Sequence, residues 1–238
     1  MLKTMNRLTI CFVLVLLSGC SNIALLDPKG TAAEEQLSLL WFSLLLMSIV
    51  LIVVFTLFTR FLIKYRERPG QEYDFPVQIE GDKKVEITWI VLPIVILVVL
   101  AVPTLATTYQ LDETPTNDQN PLIVEVTAEQ FQWTFHYPEY NITLLDELKL
   151  PVNRPVIFKL HSKDVIHSFW IPRLGGKKDA LPHQENTLVL TAIEPGTYDG
   201  KCAELCGANH ALMSFNTDVV EKDEFLNWVK SSAEREED

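Results

Sequence analysis

Cysteine and methionine are scarce in this 238-residue sequence, four of each, and beyond Asp112 only Cys202, Cys206 and Met213 remain. No C-x-x-C-H stretch occurs, which excludes a covalently attached c-type haem in this chain. Basic residues are missing from 88–148, and residues 110–238 carry 22 Asp and Glu against 11 Lys and Arg, the whole of the net charge of −11. That sign excludes nucleic acid as a partner, because binding it depends on neutralising phosphates. A cationic protein suits an acidic surface better. Charge of either sign is absent from two runs, 36–59 and 87–111. A mean hydropathy of +0.15 beside 21% charged residues therefore reflects segregation along the chain. There is no internal repeat and no low-complexity tract.

The two uncharged runs, 24 and 25 residues long, exceed the ~20 needed to cross a bilayer. Spans are expected at about 37–59 and 87–110, with the loop 60–86 between them carrying Arg60, Lys64, Arg66, Arg68, Lys83 and Lys84. Outside the loop only Lys29 stands between Cys20 and the first span, and no basic residue follows the second until Lys149. Positive residues mark the cytoplasmic side, so a hairpin with both ends outside is expected. Pro93 and Pro103 in the second span imply kinks that packing against another membrane subunit would satisfy. Ahead of the spans, Lys3 and Arg7 precede an apolar stretch at 8–17 and Leu17-Ser18-Gly19-Cys20. This resembles a bacterial lipoprotein signal, cut after residue 19 and lipidated at Cys20. The alternative is an ordinary signal peptide with an incidental cysteine. A single lipid anchor is redundant beside spanning helices, so its loss should be tolerated.

From Leu122 the pattern changes. The runs LIVEVT, FQWTFHY, PVIFKLHS, IHSFWIP, NTLVLTA, GTYDGKC and FNTDVV are short β-branched and aromatic segments separated by Pro, Gly and Asn. They predict an antiparallel all-β sandwich or barrel over 112–232. Strand count and length fit a Greek-key sandwich of the cupredoxin type. Residues 222–232 predict a closing helix with Phe225, Leu226 and Val229 on its apolar side. Residues 233–238 read as an acidic tail.

Chemistry concentrates in residues 202–213, C-A-E-L-C-G-A-N-H-A-L-M. Two thiols, the His210 imidazole and the Met213 thioether form a ligand set for a soft or borderline metal, favouring copper over magnesium or calcium. A further imidazole is expected from another strand, and His167 is the candidate because it opens a strand while Cys202 ends one. A Cys202–Cys206 disulfide is the plain alternative in an exported domain. A mononuclear blue-copper site leaves the second cysteine without a role, and a zinc site leaves Met213 unexplained. Two copper ions sharing bridging sulfurs use all five groups. His136, His161 and His183 lack partners at metal-ligand spacing and read as ordinary strand or surface histidines. Asn141-Ile-Thr143 fits a glycosylation sequon that a bacterial lipoprotein would not use.

The window matches C-x-E-x-C-x3-H-x2-M, and nearly the whole mature chain resembles subunit II of haem–copper cytochrome c oxidases. The resemblance implies that Cys202 and Cys206 bridge the two coppers of a CuA centre, with His167 and His210 each binding one. It implies Met213 as a weak ligand to one copper and the Glu204 carbonyl to the other. The Glu204 side chain would help hold a magnesium or manganese ion shared with subunit I. Nitrous oxide reductase has a similar window but carries Trp at the position of Glu204. Quinol oxidases share hairpin and sandwich but lack the copper ligands.

E-I-T-W-I-V-L-P (86–93) resembles the start of the family's second helix, which would put Glu86 at the cytoplasmic entrance of a proton channel into subunit I. A solvated helix-end carboxylate is the other reading. Asp164, three residues before His167, matches a carboxylate near the family's cytochrome c footprint, and Asp179 matches a position near subunit I. The aromatic run Q-W-x-W-x-Y of the family is altered: Gln130-Phe131-Gln132-Trp133-Thr134-Phe135 puts Phe131 where the electron-accepting Trp is usual and keeps Trp133 two residues on. A buried aromatic stripe is the plain alternative for both. The activity implied is electron relay from a separate cytochrome c, through copper, to haem in subunit I of a bacterial cell-membrane complex that holds further subunits. A membrane-tethered copper-delivery protein is the alternative class.

Overall fold

The computed structural model describes residues 23–67, 70, 80–113, 115–116 and 119–236. The expected signal at 1–19, the lipid acceptor Cys20 and residues 68–69 and 71–79 of the loop lie outside the described residues. Two compact units divide at Glu35 and Pro115: a helical unit between them, and a sandwich unit that takes in the chain on either side.

The helical unit is built on α1 (Thr31–Lys64) and α2 (Lys83–Leu111). Each contains an 18-residue window of mean hydropathy 2.8 with none of that window buried. Large side chains such as Leu45, Ile52, Phe55, Ile87 and Leu97 face outward all round. A helix apolar on every face requires lipid or protein around it. The helices outrun the uncharged segments because charge ends the apolar span without ending the helix. At the start of α2 the Asp82 side chain caps the helix, accepting from the Lys84 N–H at 2.8 Å. Thr88, Thr104 and Thr108 donate their hydroxyls to carbonyls four residues back, which satisfies them without water. The helix runs unbroken through Pro93 and Pro103.

Among the described residues the sandwich holds ten strands: β1 (Leu122–Glu129), β2 (Gln132–Tyr137), β3 (Ile142–Leu145), β4 (Glu147–Pro151), β5 (Val156–Ser162), β6 (His167–Trp170), β7 (Lys178–Ala180), β8 (Asn186–Leu190), β9 (Gly196–Cys202) and β10 (Ser214–Val220). They form two five-stranded sheets, ordered β3-β2-β1-β5-β8 and β4-β10-β9-β6-β7. The expectation of an antiparallel sandwich needs correcting, since β1 pairs with β5 and β4 with β10 in parallel. Between β1 and β5 the chain switches sheets at Asp146, a left-handed residue with φ 54. It then returns to the first sheet running the same way as β1.

An aromatic cluster fills the space between the sheets. Phe169 and Phe215 stack at 5.1 Å and 9°, and Trp133 meets both edge-on at 5.7 and 5.6 Å. Gly200 on β9 lies under Phe215; a Cβ there would stand 2.1 Å from the ring. The cluster thus seats β6 against β9, the strands that carry His167 and Cys202. The closing helix α3 (Lys222–Glu236) buries Phe225 and sets Trp228 against Tyr137 at 5.5 Å. Its packed side is Phe225, Trp228 and Val229, whereas Leu226, expected on that side, is exposed. The helix also takes in residues 233–236, which sequence had assigned to the tail.

The chain just before α1 joins the sandwich instead of the helical unit. Gly30 bridges to Ala192, Lys29 N–H donates to Arg173 O at 2.7 Å, and Thr31 N–H donates to Thr191 O at 3.1 Å. A Cβ on Gly30 would stand 2.3 Å from the Leu174 carbonyl oxygen, so only glycine permits this approach. Ala32 and Ala33, in the first turn of α1, are buried.

Candidate metal centre

Strand pairing assembles the site. In the β6–β9 ladder Phe169 stands opposite Cys202, which brings His167 at the head of β6 beside the end of β9. After Cys202 the chain loops out and comes back through a 3-10 turn, His210–Leu212. Cys202 N–H donates to Met213 O at 2.9 Å, closing the loop at its base. Gly207 takes φ +136, a conformation that favours glycine, and so turns the loop immediately after Cys206.

Within this frame the five side chains converge. Both cysteines are free thiols, with their sulfurs 3.8 Å apart, so the disulfide alternative is not realised. Cys202 Sγ lies 3.8 Å from His167 Nδ1 and 3.2 Å from the Glu204 carbonyl oxygen. Cys206 Sγ lies 3.6 Å from His210 Nδ1 and 3.7 Å from Met213 Sδ. Each sulfur is therefore a hub with one imidazole nitrogen and one weak neutral donor. His167, Cys202, Cys206 and Met213 are buried, and His210 is half-buried. A ligand atom from each of His167, Cys202 and Cys206 fits within 4.8 Å of the others.

The donor set fits a soft metal. With metal–sulfur bonds of about 2.3 Å, sulfurs at this spacing subtend roughly 110° at an ion, near the tetrahedral angle. Burial, and then the neighbouring Cys202, push the Cys206 thiol up to about 11. A soft cation bound at the sulfur would take the place of that proton. Thiol, imidazole and weak donor are thus repeated at each sulfur, a set that can hold a soft metal.

The remaining expected residues scatter. Trp133 is fully buried, its ring 6.1 Å from that of His167. Phe131 is half-buried and borders the loop, 3.2 Å from where a Cβ on Gly207 would stand. Phe131, not Trp133, therefore reaches the surface beside the site. The Glu204 side chain is exposed. Asp179 is exposed on β7 opposite Ser168. Glu86 sits exposed in the first turn of α2, its carboxylate folded over Gly81. His136 contacts Thr143 at 3.0 Å, and His161 and His183 are exposed. Next to the ligands in sequence, Leu205 and Leu212 stand 78% and 77% exposed, and Val165 and Ile166 are exposed as well.

Asp164 does more than sequence expected. Its carboxylate meets His167 Nε2 at 2.9 Å and accepts the N–H groups of Gln130 and Val165 at 2.7 and 2.6 Å. Burial pulls its pKa upward, but these partners outweigh it and hold the group at about 2. Gln130 was missed as a site residue. It was visible as the polar head of the aromatic run, but its side chain reaches the site through the fold and not through sequence spacing.

Comparison with known proteins agrees with this architecture. The family model for the periplasmic domain of cytochrome c oxidase subunit II matches residues 142–220, and the one for its transmembrane domain matches 18–107. Cytochrome c oxidase subunit 2 of Alkalihalophilus pseudofirmus is 44% identical, covering 99% of this chain and 71% of that protein. Quinol oxidase subunit 2 of Bacillus spizizenii is 40% identical, covering 97% and 73%. The crystal structure of the periplasmic domain of subunit II of cytochrome oxidase from Bradyrhizobium japonicum aligns at 31% identity over 48% of this chain and 94% of that one, with a TM-score of 0.46. From its paired apolar helices to its β-sandwich, the chain belongs to the subunit II family of haem–copper oxidases.

Proposed function

We propose that this chain is the electron-input subunit of a cytochrome c oxidase, with Cys202, Cys206, His167, His210, Met213 and the Glu204 carbonyl holding a dinuclear copper centre. The observation that carries the reading is the doubled hub: two free thiols 3.8 Å apart, each with its own imidazole and its own weak donor. When bound, a copper pair supplies reversible one-electron storage. The protein's part is to keep the donors in place while that charge changes. The aromatic packing behind β6 and β9 favours this, because a close-packed interior resists rearrangement. The exposed apolar side chains of Leu205, Leu212, Val165 and Ile166, next to the ligands in sequence, suit contact with a docked donor protein. Net charge of −11 steers a cationic cytochrome c toward it.

In the same reading, electrons leave for haem in subunit I, where oxygen is reduced to water and protons are pumped. The exposed Glu204 carboxylate faces that subunit and helps hold magnesium or manganese. Glu86 stands at a proton entrance, and Phe131 takes the place of the usual input Trp. The sandwich lies on the outer side of a bacterial cell membrane, with the lipid at Cys20. Quinol oxidation is the competing reading, favoured by the quinol oxidase relatives. The metal-binding side chains support cytochrome c, since a subunit without copper has no use for two buried thiols kept apart.

The test is turnover of the purified oxidase containing this chain. Reduced cytochrome c should be oxidised at a rate that falls as salt rises, and quinol should not support oxygen uptake. Turnover on quinol without cytochrome c oxidation would contradict the proposal.

A further inference from the structure

Two polar side chains stand just outside the donor set, and their hydrogen bonds lead into it from both ends. Both oxygens of Asp164 accept main-chain N–H groups, from Val165 and Gln130, so the carboxylate stands as an acceptor toward His167 as well. Its 2.9 Å contact therefore places the ring proton of His167 on Nε2 and leaves the lone pair on Nδ1, the atom that faces Cys202 Sγ. The other oxygen of Asp164 accepts the main-chain N–H of Gln130 at 2.7 Å. Gln130 in turn sends its side-chain amide to the carbonyl oxygen of Cys206. Gly207 is fitted to that amide: a Cβ there would stand 2.8 Å from Gln130 Nε2.

The geometry points to Gln130 and Asp164 as a positioning bracket that fixes the His167 tautomer at one sulfur hub and the Cys206–Gly207 turn at the other before metal binds. The part that concerns copper rests on the dinuclear reading above; the geometry of the metal-free site does not. The bracket also reassigns Asp164. Its side chain is only 27% exposed and its oxygens already serve three nitrogen donors, which leaves little of the carboxylate for a cationic docking partner. Gln130, although exposed as a residue, is engaged through both its main chain and its amide.

The test uses the full-length chain in detergent. Gln130→Met removes the amide donor at similar length, Gln130→Glu replaces it with an acceptor, and Asp164→Asn removes the charge. Glu129→Gln serves as the control, since Glu129 is an exposed carboxylate paired with Lys163. In the metal-free protein, both Gln130 variants should raise the alkylation rate of Cys206 about five-fold, the loss of roughly one hydrogen bond. Asp164→Asn, whose amide oxygen accepts without a charge, should shift the slowly exchanging Nε2 proton signal of His167 and speed its exchange. After copper loading, the Gln130 variants should release metal to a chelator about five-fold faster. Asp164→Asn should release it 10–100-fold faster, the usual range for a partner of a ligating histidine. All three should shift the copper–sulfur absorption bands and leave the salt dependence of electron uptake as in the control. Wild-type alkylation, proton signal, copper retention and spectrum in all three variants would overturn the bracket; a weakened salt dependence alone would return Asp164 to docking. A wild-type chain that binds no copper would defeat the functional reading, while the alkylation and proton measurements would still decide the bracket.

Discussion

At the scale of single residues, the site divides into groups that sequence spacing reveals and groups that only the fold brings in. Cys202, Cys206, His210 and Met213 share one twelve-residue window, so their association is local and legible. His167 was reachable as the residue opening a strand near the one Cys202 closes, a relation that the β6–β9 ladder realises. Gln130 was not, because its contact with Cys206 spans 76 residues and nothing in its neighbourhood marks it as a donor. Removing either sulfur, as in Cys202→Ser or Cys206→Ser, should abolish the two-copper centre, because each serves as the hub for an imidazole. Met213→Leu should retain copper at a shifted potential, since it removes only a weak donor; redox titration of the loaded chain measures both. Trp133→Ala should destabilise the sandwich by about 3–5 kcal/mol, the usual cost of emptying a buried aromatic site. Urea unfolding followed by circular dichroism checks this. A loss below about 1 kcal/mol would mean that the ring cluster does not hold the site.

At the scale of elements, the long apolar runs and the alternating strands were legible because each is a property of consecutive residues. Three strands were not recognised. β3 and β4 form one polar-interrupted run, I-T-L-L-D-E-L-K-L-P, which splits between two sheets at Asp146; β7 has three residues, too few for a pattern. Parallel pairing escaped notice because alternation tells which face a side chain takes and not which strand lies beside it. The segment that runs along the sandwich before α1 was hidden for a similar reason, since its fit depends on Gly30 meeting Leu174, 144 positions away. Gly30→Ala should cost about 1–3 kcal/mol by forcing that approach apart, measured as a lowered Tm of the full-length chain.

Exposed ion pairs also tie this segment down. Asp27 is held below its ordinary 3.8, chiefly by Lys29 and also by Arg173, and Lys29 is raised above 10.5 by Glu194 and Asp27. The Asp27 contribution is complete above 3.8 and fades as pH falls through its lower folded value. The Lys29 contribution is complete below 10.5 and fades as pH rises through its higher folded value. Asp27→Asn should therefore lower Tm slightly at pH 7 and leave it unchanged near pH 2. An equal effect at both values would show that charge is not involved.

At the scale of the whole molecule, the division of labour follows from where charge was placed. Apolar residues concentrate in two helices, and all of the net charge lies with the sandwich, so in the proposed reading membrane and donor protein are addressed by different parts of one chain. The loop that carries the Lys and Arg residues and the acidic sandwich are expected on opposite sides of the membrane. Protease added to intact cells stripped of their wall should digest the sandwich and spare a tag placed in the loop 60–86; the reverse pattern would invert the topology.

The most direct measurement on the whole chain is copper stoichiometry together with an electron paramagnetic resonance spectrum of the full-length protein reconstituted with copper. Two coppers per chain, with one unpaired electron split over both nuclei, is the expected result, because each of the two sulfur hubs has its own imidazole. One copper with a single-nucleus pattern, or none, would contradict the assignment of this chain as a dinuclear electron-input subunit.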